Sequence, residues 1–352
     1  MLLASIVFVL SVAIARADKL VRVVGGGTQE NNCPATDAKL IDPFGIDFDK
    51  AGNSYLVELK GERVLKVDAQ GHFTILGGTG VKGHSGDGGP ALQATFNGMH
   101  SLAVTPDGTI YVADTLNHRV RKIDSKGTVT AFAGTGKKAS TGIGGPALQA
   151  DLGGIYCVAF NADFSKLYLT DLDNRRIHVV DMKTRLLHHL AGNGKKGIPL
   201  DGADAKASPL VDPRAACVDR KGNVYILERS GHALRVVDAN GKIRTVAGTG
   251  KPGNSGDGGD ALKATLNGPK HLCVDLDDNV IIADSANHVI RKYSPKDAKI
   301  VRLAGTGKKG DSKDGGDPLH VSMNEPHGVY VHPNGTLYIV DSLNHRVFRW
   351  EK

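Results

Sequence analysis

Thr130-Ala131-Phe132-Ala133-Gly134-Thr135-Gly136 recurs along the chain, with echoes ending at Gly80, Gly194, Gly250 and Gly307. The spacings are 56, 58, 56 and 57 residues, a period that marks one supersecondary unit copied around an array. What the copies share belongs to the scaffold, so function is to be sought where they differ.

The second copy shows the unit. Ser101-Leu102-Ala103-Val104 precedes the turn Thr105-Pro106-Asp107-Gly108, and Thr109 to Asp114 forms a second β-prone run. The polar hairpin Thr115-Leu116-Asn117-His118 leads to Arg119 to Asp124, and Ser125-Lys126-Gly127 turns into Thr128 to Ala133. Four such runs separated by turn residues predict a four-stranded antiparallel meander. One such sheet has two apolar faces and cannot bury both alone. Several packed face to face around an axis can, which is a propeller. Inner-strand segments occur at 45–48, 101–104, 157–160, 215–218, 271–274 and 328–331, giving six blades. The last copy stops after its third strand, Arg346 to Trp350, and Lys19 to Gly25 parallels the fourth-strand segment Lys242 to Gly248. Pairing the two termini in one blade closes the ring. The expected fold is therefore all-β, a six-bladed propeller spanning residues 18–352.

The stretch Gly108-x-Ile110-Tyr111-Val112-Ala113-Asp114-x-x-Asn117-His118-Arg119-Val120-Arg121-Lys122 resembles the NHL repeat, as does Tyr338 to Val347. The linkers Ser85 to Ala91 and Ser255 to Ala261 resemble those of exported NHL-repeat propellers. The resemblance covers residues 19 to 352 and implies the fold. It fixes no chemistry, because the functions hosted on that fold range from binding scaffolds to lyases.

Leu2 to Ala15 is an uncharged apolar run, followed by Ala15-Arg16-Ala17 and Asp18. Its length and its A-x-A site read as a signal peptide over residues 1–17, too short to span a bilayer. The expected location is secreted or periplasmic, with no membrane association after cleavage and a monomeric state. The formal charge of +7 comes from scattered basic residues and does not indicate nucleic acid. Of four cysteines, Cys157, Cys217 and Cys273 lie in apolar strand runs, while Cys33 does not. The spacing supports no zinc or redox motif, but a Cys157–Cys217 bridge between neighbouring repeats is open.

Each copy ends its second strand with an acid: Glu58, Asp114, Asp171, Glu228, Asp284 or Asp341. Present in every blade, these read as structural acceptors for hairpin amides or for an arginine like Arg119. His118, His288 and His345 repeat similarly and read as hairpin braces. The first and fourth copies carry the longer Glu58 and Glu228, candidates for reaching inward as accessory site residues. The linker aspartates Asp257, Asp260, Asp311, Asp314 and Asp317 could hold Ca²⁺, though without EF-hand spacing. Tight turns with glycine at positive φ account for the same glycine-rich segments.

One position, just before each inner strand, varies between copies. It carries Phe44, His100, Tyr156, Arg214, Lys270 and His327. These six are expected to converge at the channel mouth, where unlike polar groups define the default ligand site. Arg214 can grip an oxyanion bidentately and Lys270 adds a point charge. Tyr156 can donate a hydrogen bond, and Phe44 offers an apolar or sugar-stacking face. His100 and His327 are candidates to chelate Zn²⁺ or to act as acid and base. Lys82, Lys137, Lys138, Lys195, Lys196, Lys251, Lys308 and Lys309 enter the same end and would make a basic rim.

These readings favour a secreted binding module for an anionic small molecule, glycan or acidic peptide. The alternative is a metal-dependent enzyme at the same mouth. His100, His327, Arg214 and Tyr156 resemble part of the set used by peptidylamidoglycolate lyases, but Lys270 stands where a third histidine is needed and His271 follows it. A gluconolactonase-like hydrolase would need carboxylates, for which only Glu58 and Glu228 are candidates. A third reading is a platform for an extracellular protein on the wide propeller face.

Overall fold

The computed structural model describes residues 17–352; the leader assigned to the start of the chain lies almost wholly outside them. Six antiparallel sheets, each built as a meander, form a ring. Blade 1 is Pro43–Phe48, Ser54–Glu58, Val64–Val67 and His72–Gly77. The inner strands of the following blades are Ser101–Val104, Ile155–Phe160, Pro213–Val218, His271–Val274 and Gly328–Val331. Inner strands of neighbouring blades touch in a closed cycle, with blade 6 against blade 1. Helical structure among the described residues is limited to short 3₁₀ turns.

The ring closes at its termini. Lys19–Gly25 pairs antiparallel with Arg346–Glu351, so that Leu20 faces Trp350 and Lys19 faces Glu351. Apolar residues from facing blades fill six interlocking clusters, one of which joins Val24 and Val347 to Leu56 and Leu65 of blade 1. The seam between first and last blades is thus packed like any other.

The linkers are more than turns. Gly259–Asp260 adds a fifth, outermost strand to blade 5, and Cys33–Pro34, Ala203–Asp204 and Gly315–Gly316 do so in blades 1, 4 and 6. Each linker therefore covers the edge that a four-stranded blade would leave open. Gly256 holds φ of 92° in the bend before Gly259–Asp260, and Gly86 holds 97° at the same place in the blade 2 linker, which bridges its outer strand through Pro90 and Thr128. A fully buried arginine fixes the linker to its blade. Arg121 donates to Asp87, to the Ser85 carbonyl and to the Thr95 carbonyl, and Arg291 repeats this with Asp257, Ser255 and Thr265. Of the linker aspartates considered for Ca²⁺, Asp257 is engaged by Arg291 and Arg302 and Asp311 by Arg346. Asp317 accepts from the Leu319 amide and meets His320. They are distributed over these separate partners and do not converge on one cation.

The shared acids are structural. All six are fully buried, and each accepts a backbone N–H from the loop leading into its own blade, as from Ile41 to Glu58 and Asn267 to Asp284. Each also faces a basic side chain: Arg63, Arg121, His178, Arg235, Arg291 or Arg346. The expected Arg119-type partner is thus Arg121 in blade 2, while Arg119 turns to Asp87. Two of the three repeated histidines, His288 and His345, brace the following blade and not their own hairpin, while the buried Nδ1 of His118 has no hydrogen-bond partner among the described residues. With φ of 56° and 55°, His288 and His345 accept from the Glu325 and Asp42 amides through Nδ1.

The four cysteines are free thiols, so the Cys157–Cys217 bridge is not formed. Cys157 lies one residue past the ring position and Cys217 three. At roughly 3.3 Å per strand residue, that offsets their depths in the channel by about two residues' rise.

Candidate ligand site at the channel mouth

Local sequence aims the six ring residues. In blades 1, 3 and 4 a β-bulge falls on the ring residue, between Pro43 and Gly45, Ile155 and Cys157, and Pro213 and Ala215. A bulge turns the extra side chain out of the pleat. Proline precedes the ring residue in four blades, where the strand begins and needs no N–H. In blades 2, 5 and 6 the ring residue stands just ahead of its strand, Lys270 and His327 donating their amides to Ala283 and Val340.

The six side chains converge. His100 stacks against Tyr156 with centroids 4.4 Å apart, and Phe44 lies 5.1 Å from His100 and 4.2 Å from His327. The Lys270 ammonium donates to His327 Nε2 at 2.6 Å and meets Glu325 at 2.7 Å. On the other side the Arg214 guanidinium lies over the Tyr156 ring at 4.7 Å. A chain of contacts thus runs from Arg214 through Tyr156, His100, Phe44 and His327 to Lys270. The ring is a packed floor and not an open pore. Phe44, Arg214 and His327 are 5%, 4% and 6% exposed.

Glu58 and Glu228 do not join this group. Their carboxylates lie fully buried against Arg63 and Arg235 and accept from the Ile41 and Val211 amides, as the aspartates of the other blades do from theirs. The deviation of blades 1 and 4 has a different expression at the mouth. Their altered turns place Lys60 on Asp42 at 2.7 Å and Arg229 on Asp212 at 2.9 Å.

The electrostatics are uneven. Lys270 pairs with Glu325, Arg229 with Asp212, Lys60 with Asp42 and Lys138 with Asp173. Arg214 has no carboxylate partner among the described residues. Its one protein hydrogen bond runs from Nη1 to the Tyr156 carbonyl at 3.3 Å, and its buried Nε has none. Burial and the nearby Arg229 lower its pKa to about 10, so it remains a cation at neutral pH. Burial, then the Arg214 charge, holds His100 well below the usual imidazole range. Burial also takes His327 down to about 4, against the raising influence of Glu325. Both imidazoles are neutral where Arg214 is charged.

Hydrogen bonding also sets the tautomers. His100 Nδ1 lies 2.7 Å from the Gly98 carbonyl and so carries the proton, leaving Nε2 as a free lone pair. His327 Nε2 is already occupied by Lys270, and Phe44 sits between the two histidines. The expected His100–His327 chelate is therefore interrupted by an apolar ring. No group of three or more metal-ligating side chains occurs among the described residues. Sequence reasoning missed Glu325, Asp42 and Asp212, which stand two residues before the ring position. The signal was available, since glycine occupies that position in the other three blades.

The eight linker lysines named from the sequence are all exposed. Lys137 approaches Asp151 at 3.6 Å, and Lys138 pairs with Asp173 beside Tyr156.

Ring, meander and seam define the class as a six-bladed β-propeller. Residues 79–125 match the Teneurin NHL domain and residues 323–350 the NHL repeat. The chain is an NHL-repeat β-propeller. It is 30% identical over 285 residues to Protein SUPPRESSOR OF QUENCHING 1, chloroplastic, of Arabidopsis thaliana, covering 76% of this chain and 26% of that protein. It is 26% identical over 340 residues to NHL repeat-containing protein 2 of Gallus gallus, covering 88% and 46%. The chain thus spans under half the length of either relative. Among solved structures, an auxiliary nutrient binding protein from Bacteroides thetaiotaomicron aligns with a TM-score of 0.69 at 14% identity, over 95% of this chain and 76% of that one. Virginiamycin B lyase from Staphylococcus aureus aligns with a TM-score of 0.54 at 12% identity, over 96% and 100%. At these identities the two structures speak to the fold alone.

Proposed function

We propose that this propeller is a binding module whose channel mouth takes an anionic ligand: a small molecule, a glycan or an acidic peptide. The observation that carries this reading is Arg214, a buried guanidinium with no carboxylate partner. A buried charge left without a partner is costly, and a ligand oxyanion would supply the missing partner. Lys270 holds the same position on the next blade round the ring, and Tyr156 forms the face on which Arg214 rests. The linker lysines are exposed, and a basic rim formed by them at this end would draw anions inward. The ring floor limits the ligand to what fits above it. The similar fold of a nutrient binding protein is compatible with this role.

The test is isothermal titration with citrate, inorganic phosphate, glucuronate and a diglutamate peptide. At least one should bind saturably, and Arg214→Ala with Lys270→Ala should abolish that binding while leaving the fold intact by circular dichroism. Unchanged binding in the double variant would refute the proposal. A metal-dependent lyase or hydrolase at the same mouth has less support, because Phe44 parts the two histidines and Lys270 occupies one of them. Stoichiometric zinc that is lost in His100→Ala would favour that reading instead. We infer export from the leader pattern over residues 1–17, and mature protein starting at Asp18 in the secreted fraction would support it.

A further inference from the structure

We propose that the far half of the central channel is a second binding site, for a small apolar molecule that carries one ammonium group. Beyond the ring lies a cavity of about 490 Å³ that draws on all six inner strands. None of the six ring residues lines it. The ring closes one end, and the cavity opens at the opposite face between turns carrying Lys50, Pro106, Phe164 and Arg220. Its size falls within the range of small-molecule sites.

The wall is mostly aliphatic and aromatic. Phe160, Val274 and Val331 belong to inner strands yet remain partly accessible, because they face this hollow. Cys217 and Cys273 join them as thiols whose pKa burial pushes far up, and they act as polarizable apolar surface.

One formally charged side chain of the inner strands lines the hollow: Asp47. Its carboxylate accepts from the Phe48 amide and from the Val104 amide of the next blade, each at 2.7 Å, and from the Tyr330 hydroxyl. A carboxylate offers about four lone-pair sites, so one remains for a donor in the cavity. Three donors hold the group in place while leaving it reachable. Burial raises its pKa to about 7, and an ammonium group beside it would offset that desolvation. His271, the other titratable inner-strand group, is held near 4 by burial and then by the Arg214 charge, and adds none of its own.

The entrance has the same sign. Asp47, Asp49, Asp275 and Asp278 line the cavity against Lys50 and Arg220, and Arg220 is tied to Asp278 at 3.1 Å. An anion entering here would meet net negative charge and then Asp47. A cation is drawn in.

The experiment is titration of the full protein with n-hexylamine, using n-hexanol and hexanoate as matched controls at pH 8. The expected result is that hexylamine binds about ten-fold more tightly than hexanol, the scale of one charge-assisted bond, and hexanoate not at all. Asp47→Asn should remove that preference, and Val331→Phe, which adds bulk to the cavity wall while keeping the Asp47 carboxylate, should remove binding altogether. The mouth variant Arg214→Ala with Lys270→Ala should leave hexylamine binding intact, which separates this site from the anion site. Equal binding of amine and alcohol, tighter binding of hexanoate, or no effect of Val331→Phe would overturn the proposal. If Asp47→Asn does not fold, the Val331→Phe result and the ligand series decide alone.

Discussion

The six acids that close the second strands and the six residues that ring the channel mouth obey opposite rules. The acids are alike in kind, fully buried, and each paired with a base and a backbone amide. The ring residues are all but one of different types, and one of them, Arg214, is buried without an ionic partner. A group repeated in every blade is satisfied by its own blade. A group that occurs once has nothing in the repeat to complete it, which is what a site awaiting a ligand requires.

The largest expected contrast lies between one member of each set. Glu228→Ala would strand the buried Arg235 charge and the Val211 amide, and should destabilise the protein by about 3–5 kcal/mol in urea unfolding. Arg214→Met removes an uncompensated charge while keeping much of the apolar stem, so stability should hold or rise. Equal losses for the two would erase the distinction drawn here.

A smaller effect separates them by pH. His327 has its pKa lowered from 6.5 to about 4, so between these values the unfolded chain binds a proton that the folded chain does not. The stability contributed by neutral His327 is therefore complete above about pH 6.5 and declines as pH falls towards 4. The size is on the order of 3 kcal/mol from the width of that window. His327→Gln should remove this contribution from the stability–pH curve. An unchanged slope in the variant would show that the ring does not hold this imidazole neutral.

Much of this was legible in the sequence, for a stated reason. The period fixed by Gly80, Gly136, Gly194, Gly250 and Gly307 aligns the blades, and alignment alone picks out Phe44, His100, Tyr156, Arg214, Lys270 and His327. The closing strand Lys19–Gly25 was readable because it copies Lys242 to Gly248. Other features depend on three-dimensional neighbours. Arg121 meets Asp87 across 34 positions, and nothing in either segment names the other. Glu58 and Glu228 looked free to reach inward because their arginine partners are invisible along the chain. The channel cavity was hidden for a further reason: an apolar inner strand reads the same whether it faces a core or a hollow.

The central claim is that Arg214 awaits an oxyanion, and anomalous diffraction from crystals soaked in selenate tests it most directly. The account predicts a selenium peak within hydrogen-bonding reach of the Arg214 guanidinium, on the Lys270 side of the mouth. A mouth without selenium, or an Arg214 found paired with a carboxylate of the protein itself, would contradict it.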